Sequence, residues 1–146
     1  MSSNTAAALS PAALQLGWAG ILPFVAGALL IWGVSAEAHP YVALGLSAYA
    51  AVIVSFLGGI HWGLAFRETP PPPALLGWGV LPSLVAWVAV MMPPSAGLVI
   101  HGLMLLACYA VDRRVYPKHG AAHWLLLRFR LSSVAALCCF LGAAGA

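Results

Sequence analysis

Only nine of the 146 residues carry a formal charge, six Lys or Arg and three Asp or Glu. The first is Glu37, the next is Arg67, and none falls between Glu68 and Asp112. An ordinary soluble domain has about a quarter of its residues charged, because its surface faces water. At 6% charged, 63% hydrophobic and a mean hydropathy of +0.99, most of this chain must have lipid as its solvent. Five apolar stretches of spanning length use up nearly the whole sequence and leave no room for an extramembrane domain with its own core. The expected fold is an all-α integral membrane protein, a bundle of five transmembrane helices forming one polytopic domain over residues 1–146.

The predicted spans cover about residues 14–34, 41–66, 74–92, 95–111 and 124–144. The first opens at Ser10-Pro11, where an N-cap oxygen precedes a proline whose missing N–H is harmless at the first helical position. From Leu14 to Val34 it would measure about 31 Å, which matches the hydrocarbon core of a bilayer. The third is entered through Pro70 to Pro73 and left through Pro93-Pro94, residues that cannot continue a helix interior. Ala36-Glu37-Ala38 resembles a signal-peptidase site, but no Lys or Arg precedes the first apolar run, which is therefore read as a retained anchor.

Every basic residue falls on one side of this arrangement. Arg67 lies between spans two and three; Arg113, Arg114, Lys118, Arg128 and Arg130 lie between spans four and five or in the first turns of span five. With five spans that face also holds the N-terminus, so the positive-inside rule places the N-terminus in the cytoplasm or matrix and the C-terminus outside. Trp18, Trp62, Trp78 and Trp124 fall near the basic face and Trp32 near the other, as expected of an interfacial aromatic belt. The net charge of +3 thus reads as topology. Six basic residues without aromatic interleaving are too few for a nucleic-acid groove. Cys108, Cys138 and Cys139 lie in apolar stretches and read as packing residues, not a disulfide framework.

Spans one and three share a word, Gly20-Ile21-Leu22-Pro23 and Gly79-Val80-Leu81-Pro82, compatible with a parallel two-helix repeat or with chance. Pro23 and Pro82 are expected to kink their helices and free carbonyls that neighbours in the bundle must satisfy. In span two, Ala43, Ser47, Ala51, Ser55, Gly59 and Gly63 recur every four residues. That spacing reads as one strip of small side chains for helix-helix contact, within the chain or with a partner.

His61 lies six residues before Arg67, roughly 9 Å inside the basic interface, and His101 eleven residues before Asp112, roughly 16 Å deep. Intramembrane ionisable residues are functional candidates, and two histidines on two helices invite haem. An offset of roughly 7 Å along the membrane normal disfavours one iron between them. Each histidine is therefore expected to be neutral and bonded to a neighbouring carbonyl or hydroxyl. Arg128 and Arg130 are two residues apart and point about 200° apart on a helix, so either one turns toward Asp112 and the other to lipid phosphates, or both anchor the helix at the headgroup level. Glu37, Glu68 and Asp112 are placed at or outside the membrane boundaries. With no mid-membrane carboxylate, no phosphate-binding glycine motif and no zinc-ligand spacing, no catalytic constellation, metal site or resident cofactor is expected.

The run Tyr49-Ala50-Ala51-Val52-Ile53-Val54-Ser55-Phe56-Leu57-Gly58-Gly59-Ile60-His61-Trp62-Gly63 resembles the signature of a family of small inner-membrane proteins that includes mitochondrial transmembrane protein 69. Leu81-Pro82-Ser83 with Trp87, then Asp112 and Trp124 to Leu131, follow in the same order. The resemblance implies a five-span protein of the bacterial cytoplasmic or mitochondrial inner membrane and carries over no activity. It also implies that arginine can hold the place of His61, which favours a polar interior contact over metal ligation. The function expected is that of a non-enzymatic accessory or assembly component of a larger membrane complex, with the bilayer and other subunits or a second copy as partners and no nucleic acid. The alternatives are a small dimeric carrier or lipid- or quinone-binding protein, with Pro23, Pro82, His61 and His101 along its path, or a haem-binding redox protein.

Overall fold

The computed structural model describes residues 8–146. Among them the secondary structure is helical: α1 Pro11–Ala19, α2 Leu22–Gly33, α3 His39–Ala65, α4 Pro73–Met91, α5 Pro94–Val115 and α6 Leu125–Gly145. Two 3-10 turns, Tyr116–His119 and Ala122–Trp124, join α5 to α6. Five helical segments are long and apolar enough to cross a membrane, and the first of them is α1 and α2 together. Prolines mark the starts: each of α1 to α5 has one at its first or second position, where the missing N–H costs no intrahelical bond. Ser10 caps α1, its Oγ accepting from the Ala13 N–H at 3.2 Å.

The two prolines inside spans behave differently. Pro23 lacks the N–H that Ala19 would otherwise bond, and the helix opens one turn earlier, at Gly20 and Ile21. The Tyr49 hydroxyl of α3 donates to the Gly20 carbonyl at 2.7 Å, so a neighbouring helix satisfies the group that the break exposes. Helix α4 instead runs unbroken through Pro82. The shared Gly-x-Leu-Pro words of spans one and three therefore adopt different structures.

Helix α3 is the centre of the bundle, packed against α2, α4 and α5 and touching α6, while α6 also lies along α5 and α2. Phe24, Ala50, Val54, Leu98, Leu105 and Cys139 form its apolar middle. Where α3 crosses α4 the backbones come close. A Cβ built on Gly58 would stand 2.6 Å from the Gly79 carbonyl oxygen and 3.2 Å from the Pro82 ring. Close approach of this kind is how helices associate where lipid removes the hydrophobic drive between them.

That contact corrects the reading of the small-residue strip. Ala43 and Ser47 are buried, Ala51 and Ser55 are half-buried, and Gly59 and Gly63 are exposed with open space where a side chain would go. A strict four-residue repeat advances about 40° past a full turn at each step, so from Ala43 to Gly63 it winds about 200° around the helix. The face that α3 buries runs instead through Ala43, Leu46, Ala50, Val54, Leu57, Gly58, His61 and Ala65.

Candidate functional site

The polar interior of the bundle is built around Asp112. The fourth span does not end at Val111 as its hydropathy suggests: α5 continues to Val115 and a 3-10 turn to His119. Asp112 is thus carried inside the protein, with no solvent exposure, and lies within the Pro94–His119 segment that is long and apolar enough to cross a membrane, not at its end. Its two oxygens are divided between two helices. Oδ1 accepts from His61 Nε2 of α3 at 2.8 Å; Oδ2 accepts from Arg128 Nε at 3.0 Å and Nη2 at 2.7 Å on α6. Arg128 also donates through Nη1 to Ser132 Oγ at 2.9 Å, one turn along its own helix.

The chemistry of this cluster follows from burial. A charge removed from water must be paired and hydrogen-bonded; here two N–H groups of Arg128 share the single oxygen Oδ2, which leaves Oδ1 to His61. Donating to Asp112 through Nε2 leaves Nδ1 of a neutral His61 as a lone-pair acceptor. That nitrogen is buried and has no partner. The Tyr116 ring lies 6.3 Å from the imidazole and the Trp78 ring 6.5 Å from it on the opposite helix, α4. Trp78 Nε1 is likewise buried without a partner.

Two cavities flank the cluster. The larger, of about 690 Å³, is an apolar groove bordered by α1, the start of α2, α3, the 3-10 turns and α6. Its walls are Leu16, Phe24, Ile53, Leu57, Leu127, Leu131 and similar residues, and its polar lining includes Arg67, His119, His123, Arg128 and Ser132. The smaller, of about 550 Å³, lies between α3, α4 and α5 and is lined by His61, Trp78, Glu68, Lys118 and His119 among others. At its mouth His119 Nε2 meets Glu68 Oε1 at 2.6 Å, and His119 Nδ1 meets the Val115 carbonyl at 2.9 Å. Arg128 therefore faces one cavity and His61 the other, with Asp112 between them.

Arg130, two residues from Arg128, is exposed. The other buried histidine is of a different kind: His101 is fully buried and neither ring nitrogen has a partner, where a carbonyl or hydroxyl was expected. His61 finds a carboxylate in place of those same two groups. Pro23 and Pro82 lie away from the cluster, Pro23 at the α1–α2 break and Pro82 against Gly58. Ser132 and Trp78, which carry no charge, are the members that sequence reasoning missed. The helical segment runs on to His119, seven residues beyond Asp112, which brings its carboxylate to the level of His61.

A helical bundle of five spans with a His–Asp–Arg network in its interior defines a polytopic membrane protein with an ionised core. Residues 9–144 match the family model of a protein of unknown function, DUF3429, and the chain belongs to that family. It is similar to transmembrane protein 69 of Xenopus tropicalis, 39% identical over 116 residues that make up 73% of this chain and 44% of that protein. To transmembrane protein 69 of Mus musculus it is 29% identical over 115 residues, 77% of this chain and 46% of the mouse protein. The chain thus spans less than half the length of these relatives. No solved structure matches it.

Proposed function

We propose that this protein binds an anionic membrane lipid in the groove bordered by α1, α3 and α6, and acts as a lipid-binding or lipid-carrying component of its membrane without catalysing a reaction. The observation that supports this is the make-up of the groove. A volume of about 690 Å³ with mostly apolar walls suits acyl chains, and pockets of this size with a few convergent polar groups are the usual form of ligand sites. The charged groups among its lining are both arginines, Arg67 and Arg128, with His119, His123 and Ser132 as further polar groups. Guanidinium groups beside an apolar slot between helices complement an acidic headgroup and its tail. The basic face is assigned to the cytoplasmic or matrix side of a bacterial or mitochondrial inner membrane by the positive-inside rule.

The test is the lipid that stays with the purified protein. Native mass spectrometry from a mixed bilayer should show one anionic phospholipid retained in fixed stoichiometry, and Arg67→Gln with Leu57→Trp should reduce it. Retained lipid with the composition of the bulk membrane would overturn the reading. A second reading, an accessory subunit of a larger membrane complex, is favoured by the outward position of Gly59 and Gly63, which have open space beside them on the lipid-facing side of α3. Gly59→Leu should then leave the monomer folded and abolish co-purification of a partner.

A further inference from the structure

The groove stops halfway through the membrane. Its lining begins at the basic end with Arg67 and Trp124 and goes no deeper than Phe24 of α2, Ile53 of α3, Leu105 of α5 and Ala135 of α6. Each of these four lies within about two residues of the middle of its own span. From Trp124 to Ala135 the wall formed by α6 measures about 16 Å, and half of a bilayer's hydrocarbon core is about 15 Å. The slot is as deep as one leaflet.

Beyond this floor the helices close on one another. The buried side chain of Leu46 on α3 fills the space between α2 and α6, where a Cβ built on Gly27 or Gly142 would stand 2.9 Å or 2.7 Å from it. Ile31 and Leu98 are buried in the same layer. At the far face, side chains of α2 and α3 hold the end of α6: Trp32 Nε1 donates to the Leu141 carbonyl at 3.2 Å, and His39 Nε2 donates to the Gly145 carbonyl at 2.7 Å. Helix α6 thus borders an open slot along its first half and is bound to α2 and α3 along its second. A chain lying in the groove meets packed side chains at mid-membrane.

The charge at the mouth sets which way an occupant points. Of the three acidic residues, Asp112 is paired with Arg128 and His61, and Glu68 meets His119. Glu37 lies between the first two spans, at the opposite face. Arg67 is exposed and has no acidic partner among the described residues, whereas the charge of Arg128 is already balanced by Asp112. The unbalanced cation therefore stands at the outer end of the slot, with apolar walls running from it to the floor. An acid group at Arg67 with a tail beneath it suits both ends. The reverse orientation would bury the acid in a closed apolar end with nothing to offset its desolvation.

Resting on the lipid-binding reading above, we infer that the groove takes one anionic phospholipid from the leaflet on the basic side, with its phosphate at Arg67 and an acyl chain reaching the floor at Phe24 and Ala135, and that this lipid does not cross the bundle. The protein holds lipid within one leaflet and is not a path between leaflets.

The experiment uses the full chain in phosphatidylcholine vesicles that contain phosphatidylglycerol carrying a photoreactive diazirine, either beside the acyl ester or at the end of the acyl chain. Peptide mass spectrometry should find the first probe on segments around Arg67 and Trp124 and the second on segments around Phe24 and Ala135. Arg67→Gln, at an exposed position, should fold and lower both labels about fivefold, the share of one basic residue at a membrane surface. Groove labelling that this variant leaves unchanged overturns the assigned headgroup position. End-of-chain adducts concentrated on Ile31 or Leu46 show lipid passing the floor, which overturns the one-leaflet inference and leaves lipid binding standing. A fluorescent phosphatidylglycerol should move between leaflets no faster than in protein-free vesicles, and acceleration by the protein overturns the inference in the same way. Labelling by phosphatidylglycerol that matches labelling by phosphatidylcholine with the same diazirines overturns both readings.

Discussion

The two buried histidines divide the bundle into regions that solve the same problem differently. Around His61 the interior is polar and connected: the imidazole of α3, a carboxylate of α5 and a guanidinium and hydroxyl of α6 are hydrogen-bonded in one chain, and cavities lie on both sides. Around His101 the interior is tight. Gly97 and Gly102 on the same helix let Ala89 and Phe140 approach so closely that a Cβ at either glycine would collide, and the imidazole finds no hydrogen-bond partner at all. A buried polar group in the first region meets hydrogen-bonding partners on neighbouring helices. In the second it meets none.

The largest effect that tests this contrast is at Asp112. Asp112→Asn strands a buried guanidinium, and breaking such a pair costs about 3–5 kcal/mol; unfolding of the reconstituted protein should show a loss of that order, partly recovered when Arg128→Met is added. Next comes the α3–α4 crossing. Gly58→Ala forces a methyl against the Gly79 carbonyl and should cost about 1–3 kcal/mol, whereas the adjacent Gly59→Ala, facing open space, should stay within about 0.5 kcal/mol. The histidines themselves give a sign difference. His61→Leu leaves a carboxylate oxygen without its donor and should destabilise by about 1–3 kcal/mol, while His101→Leu removes two unpaired polar atoms and should be neutral or stabilising by about 1 kcal/mol. Equal losses at the two sites would erase the distinction between the regions. The smallest effect belongs to Arg130→Gln, which should leave the thermal midpoint unchanged where Arg128→Gln lowers it.

Much of the fold can be read from the chain because lipid imposes one simple rule: each span needs about twenty apolar residues, and prolines and charges mark its ends. The failures come from places where hydropathy and geometry part company. Asp112 reads as the end of a span because the apolar run stops at Val111, yet the helix carries on for another turn and draws the carboxylate inward. The four-residue strip of α3 reads as one face, yet its last two glycines point outward, because 3.6 does not divide into four. Pro23 and Pro82 share a sequence word, yet only the first span breaks, at a point where the Tyr49 hydroxyl donates to the Gly20 carbonyl. The separation of Arg128 from Arg130 follows from helical angle alone. The two cavities do not, since each needs the relative placement of three or more helices.

The break at Gly20 and Ile21 also sets how a molecule in the groove would leave. Short helix α1 has α6 as its principal neighbour, through Gly17 against Leu127 and Leu131, and it joins the rest of its span by two residues outside any helix. Segments held by so few contacts open at a small fraction of the global unfolding free energy. If the proposed lipid occupies the groove, it would leave past these nine residues at the edge of the bundle, and the Asp112 network beneath would not have to come apart.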